Sequence, residues 1–135
     1  MENLFQTATK FAPHILILVF LAITFLQSGI DKISDWNGNL SFLKEHFSKT
    51  FLKKSVPLML VLILLGEIIV GFLSVIGIVQ IYISDTTTIG FYASVIAAKI
   101  VLALLFGQRV AKDYAGAMTI TVYFMVTVFG VYLMS

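Results

Sequence analysis

Apolar residues do not alternate along this chain; they run in four long blocks. The first extends from about Phe11 to Ile30, the second from Val56 to Ile83, the third from Ile89 to Gly107, and the fourth from Tyr114 to Met134. Each is close to or above the ~20 apolar residues that carry a helix through a ~30 Å hydrocarbon core. The second is long enough to tilt or to project beyond it. Runs this continuous lack the period of two expected of lipid-facing barrel strands. The pattern predicts an all-α membrane protein, with four transmembrane helices in an antiparallel bundle.

The polar segments set the connections. "SDTTT" (Ser84–Thr88) and "QRVAKD" (Gln108–Asp113) are short, so the last three helices pack in sequence as antiparallel neighbours. The first connection is longer. "DWNG" (Asp35–Gly38) reads as a turn. After it, Leu40, Leu43, Phe47 and Phe51 recur at helical spacing, with Lys44, Glu45, Lys49 and Lys53 mostly elsewhere on the wheel. This predicts an amphipathic helix over about 39–53, lying in the membrane interface beside Trp36. It serves either as scaffold or as a docking surface. The whole chain, 1–135, reads as one integral membrane domain.

Composition agrees with the pattern. The chain is 59% hydrophobic and 12% charged, with a mean hydropathy of +1.01, against about a quarter charged in soluble domains. The absence of cysteine excludes disulfides, thiolate metal sites and a cysteine nucleophile. His14 and His46 fall on opposite sides of the predicted membrane, so no metal site is expected. Lys10 before an apolar run is reminiscent of a signal peptide, but no small-residue cleavage site follows. The expectation is a retained first membrane helix.

Basic residues predict the orientation. Lys32, Lys44, Lys49, Lys53, Lys54, Arg109 and Lys112 lie in the first and third connections; the N-terminal tail has Lys10, and the second connection and the C-terminus have none. By the positive-inside rule the first and third connections are cytoplasmic and both termini periplasmic, if the bilayer is a bacterial inner membrane. These basic residues read as topology signals and lipid contacts. Nothing in the chain supports nucleic-acid binding.

Two charges interrupt the apolar blocks. Glu67 lies ~17 Å along the second helix from its basic end, and Lys99 ~12 Å from the same end of the third. An isolated ion at mid-bilayer costs ~2.5–3.5 kcal/mol on insertion scales. The two are therefore expected to meet. They form either an ion pair that fixes helix register or a polar, proton-responsive pocket. In a third arrangement Glu67 is protonated and Lys99 snorkels toward Gln27 or Asp31. Those two residues share a face at the end of the first helix, which either completes the pocket or anchors the interface. Tyr123, near mid-depth in the fourth helix, is a further candidate for the polar interior. Gly71 and Ser74 follow Glu67 on one face, and Ala97 offers a small surface on the third helix; these are expected at helix contacts.

Gly29-Ile-Asp-Lys32 at the end of the first helix and "GEIIVGFLSVIG", with Glu67, Gly71 and Gly77, resemble the DoxX family of small four-helix bacterial membrane proteins. Length, helix count and the longer first connection agree over nearly the whole chain. Members often carry an Arg early in the first helix, where this chain has only Lys10 or His14 nearby. The family takes its name from a membrane quinone-reducing enzyme of sulfur oxidation in which a related protein is a subunit. The resemblance implies a bacterial inner-membrane subunit or accessory partner of a quinone-linked redox system, bound to another membrane, periplasmic or cytoplasmic subunit. Two alternatives stay open. One is a stand-alone oxidoreductase in which Glu67, Lys99 and Tyr123 bind and protonate a quinone. The other is a small proton or solute transporter acting as a homo-oligomer.

Overall fold

The computed structural model describes residues 2–135, without the side chain of Glu2. Six α-helices follow one another: α1 (Glu2–Lys10), α2 (Ala12–Ser34), α3 (Trp36–His46), α4 (Val56–Ser84), α5 (Thr88–Val110) and α6 (Tyr114–Met134), with a 3-10 turn at Lys53–Ser55 before α4. No strand occurs among the described residues. The four helices α2, α4, α5 and α6 are long and apolar enough to cross a membrane. The chain is an all-α, multi-pass membrane bundle.

Local chemistry sets the helix ends. Proline stands at the first turn of α2 and of α4, where its missing N–H costs nothing. Asp35 caps α3 by accepting from Gly38 N at 3.2 Å, and Asp113 caps α6 by accepting from Gly116 N at 2.9 Å. Asp85, in the left-handed region at φ 52°, closes α4 with its N–H on Ile81 O at 3.0 Å. The side chain of Gln80 then reaches over to accept from Ile89 N in the first turn of α5.

Two elements differ from the sequence expectation. α3 starts at Trp36 and stops at His46 instead of covering 39–53; after it the chain runs through successive tight turns, Ser48 N on Glu45 O and Thr50 N on Phe47 O. The Asp35 cap starts the helix earlier than the "DWNG" turn suggested. α1 was not anticipated. It is a polar N-terminal helix whose Thr7 hydroxyl donates to Asp85 beside the end of α4.

The spanning helices form a ring in which α2 packs on α4, α4 on α5, α5 on α6, and α6 more lightly on α2. Each neighbouring pair is antiparallel. The centre is filled by Leu18, Leu21, Phe25, Val70, Ile81, Ala93, Ala97, Val101 and Met134. Lipid tails are as apolar as leucine, so such helices associate through close packing rather than through hydrophobic burial. The α2–α4 crossing shows this. A Cβ on Gly29 would lie 2.7 Å from Ile68 Cδ1, and one on Gly71 would collide with Leu26. Outward faces carry large apolar side chains such as Leu16, Ile23, Phe72, Val122 and Met125, as a lipid-facing surface requires.

Candidate functional site

The close α2–α4 contact brings Lys32 to Glu67. Lys32 Nζ lies 2.8 Å from Glu67 Oε1 and donates to Ser28 Oγ, one turn back on its own helix, also at 2.8 Å. Glu67 as a whole residue is 3% exposed. Its Oε1 accepts no well-aligned hydrogen bond, so charge rather than hydrogen-bond geometry holds the pair.

The expected pairing of Glu67 with Lys99 is not what forms. The depths do match: a Cβ on Gly66 would touch Ile100 Cδ1 at 2.7 Å, so these levels of α4 and α5 face each other. Successive helical residues, however, point about 100° apart. Gly66 and Ile100 occupy the contact, Glu67 turns toward α2, and Lys99 turns outward and is exposed. Gln27 and Asp31 are likewise exposed and make no side-chain hydrogen bond or ion pair among the described residues. Tyr123 is half-buried, 6.0 Å from the ring of Phe20 on α2. Gly71, Ser74 and Ala97 are buried at helix contacts, with Ser74 Oγ returned to Val70 O at 2.7 Å. The structure therefore brings Glu67 to Lys32 and leaves Gln27, Asp31, Lys99 and Tyr123 apart from it.

Lys32 also borders a cavity of about 420 Å³ at the basic end of the bundle, between α3, α4, α5 and α6. That volume is within the ~300–1,000 Å³ of small-molecule sites. Phe42, Phe47, Met59, Leu60, Ile63 and Ile120 give it an apolar wall, and Asn39, His46, Gln108 and Asp113 supply polar groups. Lys32 is the one α2 residue on the lining, with Glu67 buried behind it. Phe42 and Leu62 are on the wall and exposed, so the cavity is reached from outside the bundle.

α3 is tied down over this cavity. Phe47 is 7% exposed, and a Cβ on Gly107 would sit 3.3 Å from its Cζ. The glycine thus leaves room for the ring on α5. The His46 ring stacks on Phe42 with centroids 5.5 Å apart. Its Nε2 donates to Gln108 Oε1 at 3.0 Å and lies 3.7 Å from Asp113 Oδ2. Asp113 spends its other oxygen on the α6 cap, so one residue both starts α6 and anchors α3.

The sequence marks Lys32 as a basic residue of the first connection and His46 only as lying across the predicted membrane from His14. The Gly29-x-x-Lys32 and Glu67 pattern was the available signal for the first. For the second, only a contact across 62 positions of chain reveals its role. Among the described residues, no group of three His, Cys, Asp or Glu side chains is arranged to hold a metal. No family model, curated protein or solved structure matches this chain.

Proposed function

We propose that this protein is a DoxX-like component of a quinone-linked redox system in a bacterial inner membrane, and that the cavity under α3 holds a quinone-class lipid headgroup. One observation carries the proposal. An apolar cavity at the level where the bundle meets the basic connections has Lys32, backed by buried Glu67, on its lining together with His46. Quinone carbonyls accept hydrogen bonds, and ammonium, amide and imidazole N–H groups donate them. The apolar wall suits the ring and the start of an isoprenoid tail.

The chemistry such a site offers is proton supply. Reduction of a quinone to a quinol takes two electrons and two protons. Lys32, His46 and Asp113 on the lining, with Glu67 behind Lys32, are the groups able to move protons at this cavity, and the electrons come from a separate redox subunit. The excess of Lys and Arg in the first and third connections supports a cytoplasmic position for the cavity and periplasmic termini in this reading.

Trp36, the chain's sole tryptophan, opens α3 one turn before Asn39 of the cavity lining and serves as a reporter of occupancy. Titrating a short-chain ubiquinone or menaquinone analogue into the detergent-solubilised protein should quench its fluorescence saturably. Lys32→Met combined with His46→Leu should weaken the apparent affinity about tenfold. Linear, non-saturating quenching that is equal in wild type and variant contradicts the proposal.

A further inference from the structure

Two outward-facing charges of opposite sign sit at one level of the bundle. Lys32 of α2 meets Glu67 of α4, and Ile100 of α5 lies against Gly66 of α4. These contacts bring Asp31 and Lys99, each one residue away, to the same depth. Both are exposed, and neither side chain has an ion-pair or hydrogen-bond partner among the described residues. The level lies inside the apolar belt. About 16 Å of α4 and of α5 continues from it to the basic end, and that stretch carries the exposed Leu58, Leu62 and Phe106. An unpaired ion facing hydrocarbon is a costly placement, and pairing offsets part of the cost.

The two charges do not meet within one chain. α2 and α5 stand at opposite corners of the ring, with α4 and α6 between them. Asp31 comes two residues after Gly29, which packs on α4, so it points about 200° away from that contact. Gln27, one turn earlier, shares this face and is also exposed. Lys99 lies about 100° around α5 from Ile100, which meets α4, and about 140° from Ser94, which packs against Gly130 of α6. Each charge therefore leaves the bundle on its own side. A second copy inserted the same way up carries both complements at the matching depth. Set alongside, it presents its Asp31 and Gln27 to Lys99 of the first copy, and its own Lys99 stays free for a third.

We infer that copies of this chain associate head to tail in the membrane, the α2 face of one docking on the α5 face of the next through an Asp31–Lys99 ion pair. Charge complementarity selects the occupant: one contact supplies the missing carboxylate and the missing ammonium together, at a depth that shared insertion fixes. The two surfaces are different patches, so the association is heterologous and closes into a ring where the rotation between copies allows. Tyr92 and Phe106, exposed and seven residues to either side of Lys99, flank the pair. The inference needs only that the chain spans a bilayer. It goes beyond the quinone proposal and does not depend on it.

The test uses two differently tagged full-length copies expressed together in the membranes of their own cells. In the first copy a photoreactive amino acid replaces Leu102, one turn past Lys99; the second copy carries no probe. After irradiation, products bearing both tags are isolated and the adducts are mapped by mass spectrometry. The expected adduct joins position 102 of the first copy to Gln27–Ser34 of the second. Asp31→Lys in the second copy should lower its yield at least tenfold, and Lys99→Asp in the first should then restore it. Adducts to lipid alone, to a different protein alone, or to α5 of the second copy overturn the inference, as does a yield that Asp31→Lys leaves unchanged or that Lys99→Asp does not restore. If the Asp31→Lys copy does not accumulate, Asp31→Asn replaces it: a severalfold lower yield is expected, and an unchanged yield overturns the inference. Quinone-analogue quenching in the purified protein should be unchanged by Lys99→Asp, so failure of one proposal is separable from failure of the other.

Discussion

Lys32 and Glu67 give the sharpest stability test, because their burial is unequal. The side chain of Glu67 is 4% exposed and that of Lys32 17%, with 2.8 Å between the charged atoms. At that distance, with an effective dielectric constant of 20, the attraction is about 6 kcal/mol. Desolvation of the two ions takes back several kcal/mol each, which leaves a net contribution near zero. Removing one partner is a different matter. Lys32→Met strands a buried carboxylate and should cost about 3–5 kcal/mol. Glu67→Gln should cost less, since the ammonium keeps Ser28 and can turn toward the cavity. The double variant should recover much of the Lys32→Met loss. Reversible unfolding in detergent, followed by circular dichroism, measures all four proteins. The cycle should give a coupling of at least about 2 kcal/mol between positions 32 and 67, and none between 67 and 99. Additivity within about 0.5 kcal/mol at 32 and 67 would refute the pair.

Gly71→Val should separate α2 from α4, because even a Cβ there collides with Leu26; a loss of about 1–3 kcal/mol or more in the same assay is expected, accompanied by loss of the Lys32–Glu67 coupling. His46→Leu removes the tie between α3 and Gln108. Amide exchange measured by mass spectrometry should then quicken about tenfold within Trp36–His46 and stay unchanged in the centres of α4 and α5.

The bundle was legible in the sequence because hydrocarbon is an exacting solvent. Only an unbroken apolar helix satisfies its own backbone there, and the four runs left little choice of architecture. Depth was legible as well, since Glu67 and Lys99 can be counted along their helices. Direction around the helix axis was not. In a segment that is apolar on every side, no amphipathic pattern says which face meets a neighbour, so the turn that gives Glu67 to Lys32 and sends Lys99 outward could not be read. The small residues Gly71, Ser74 and Ala97 carried more directional information than the charges did. The cavity left no trace for a similar reason: Met59, Leu60 and Ile63 look the same in sequence whether they face lipid, a helix or a ligand. α1 escaped notice because its composition is polar and it gains its place by leaning on α2 and α4. At the other boundary, the run of helical spacing through Phe51 overstated α3, which stops where Phe47 inserts against Gly107.

Photoaffinity labelling tests the central claim most directly. The purified protein is irradiated with an azidoquinone at low occupancy, with excess unlabelled quinone as competitor, and the modified peptides are sequenced. Competable label in Phe42–Phe47 of α3, Met59–Ile63 of α4 and Ala103–Gln108 of α5 is the predicted outcome. Label confined to outward-facing positions such as Ile69, Val122 or Met125, or label that competitor does not reduce, would contradict a quinone site under α3.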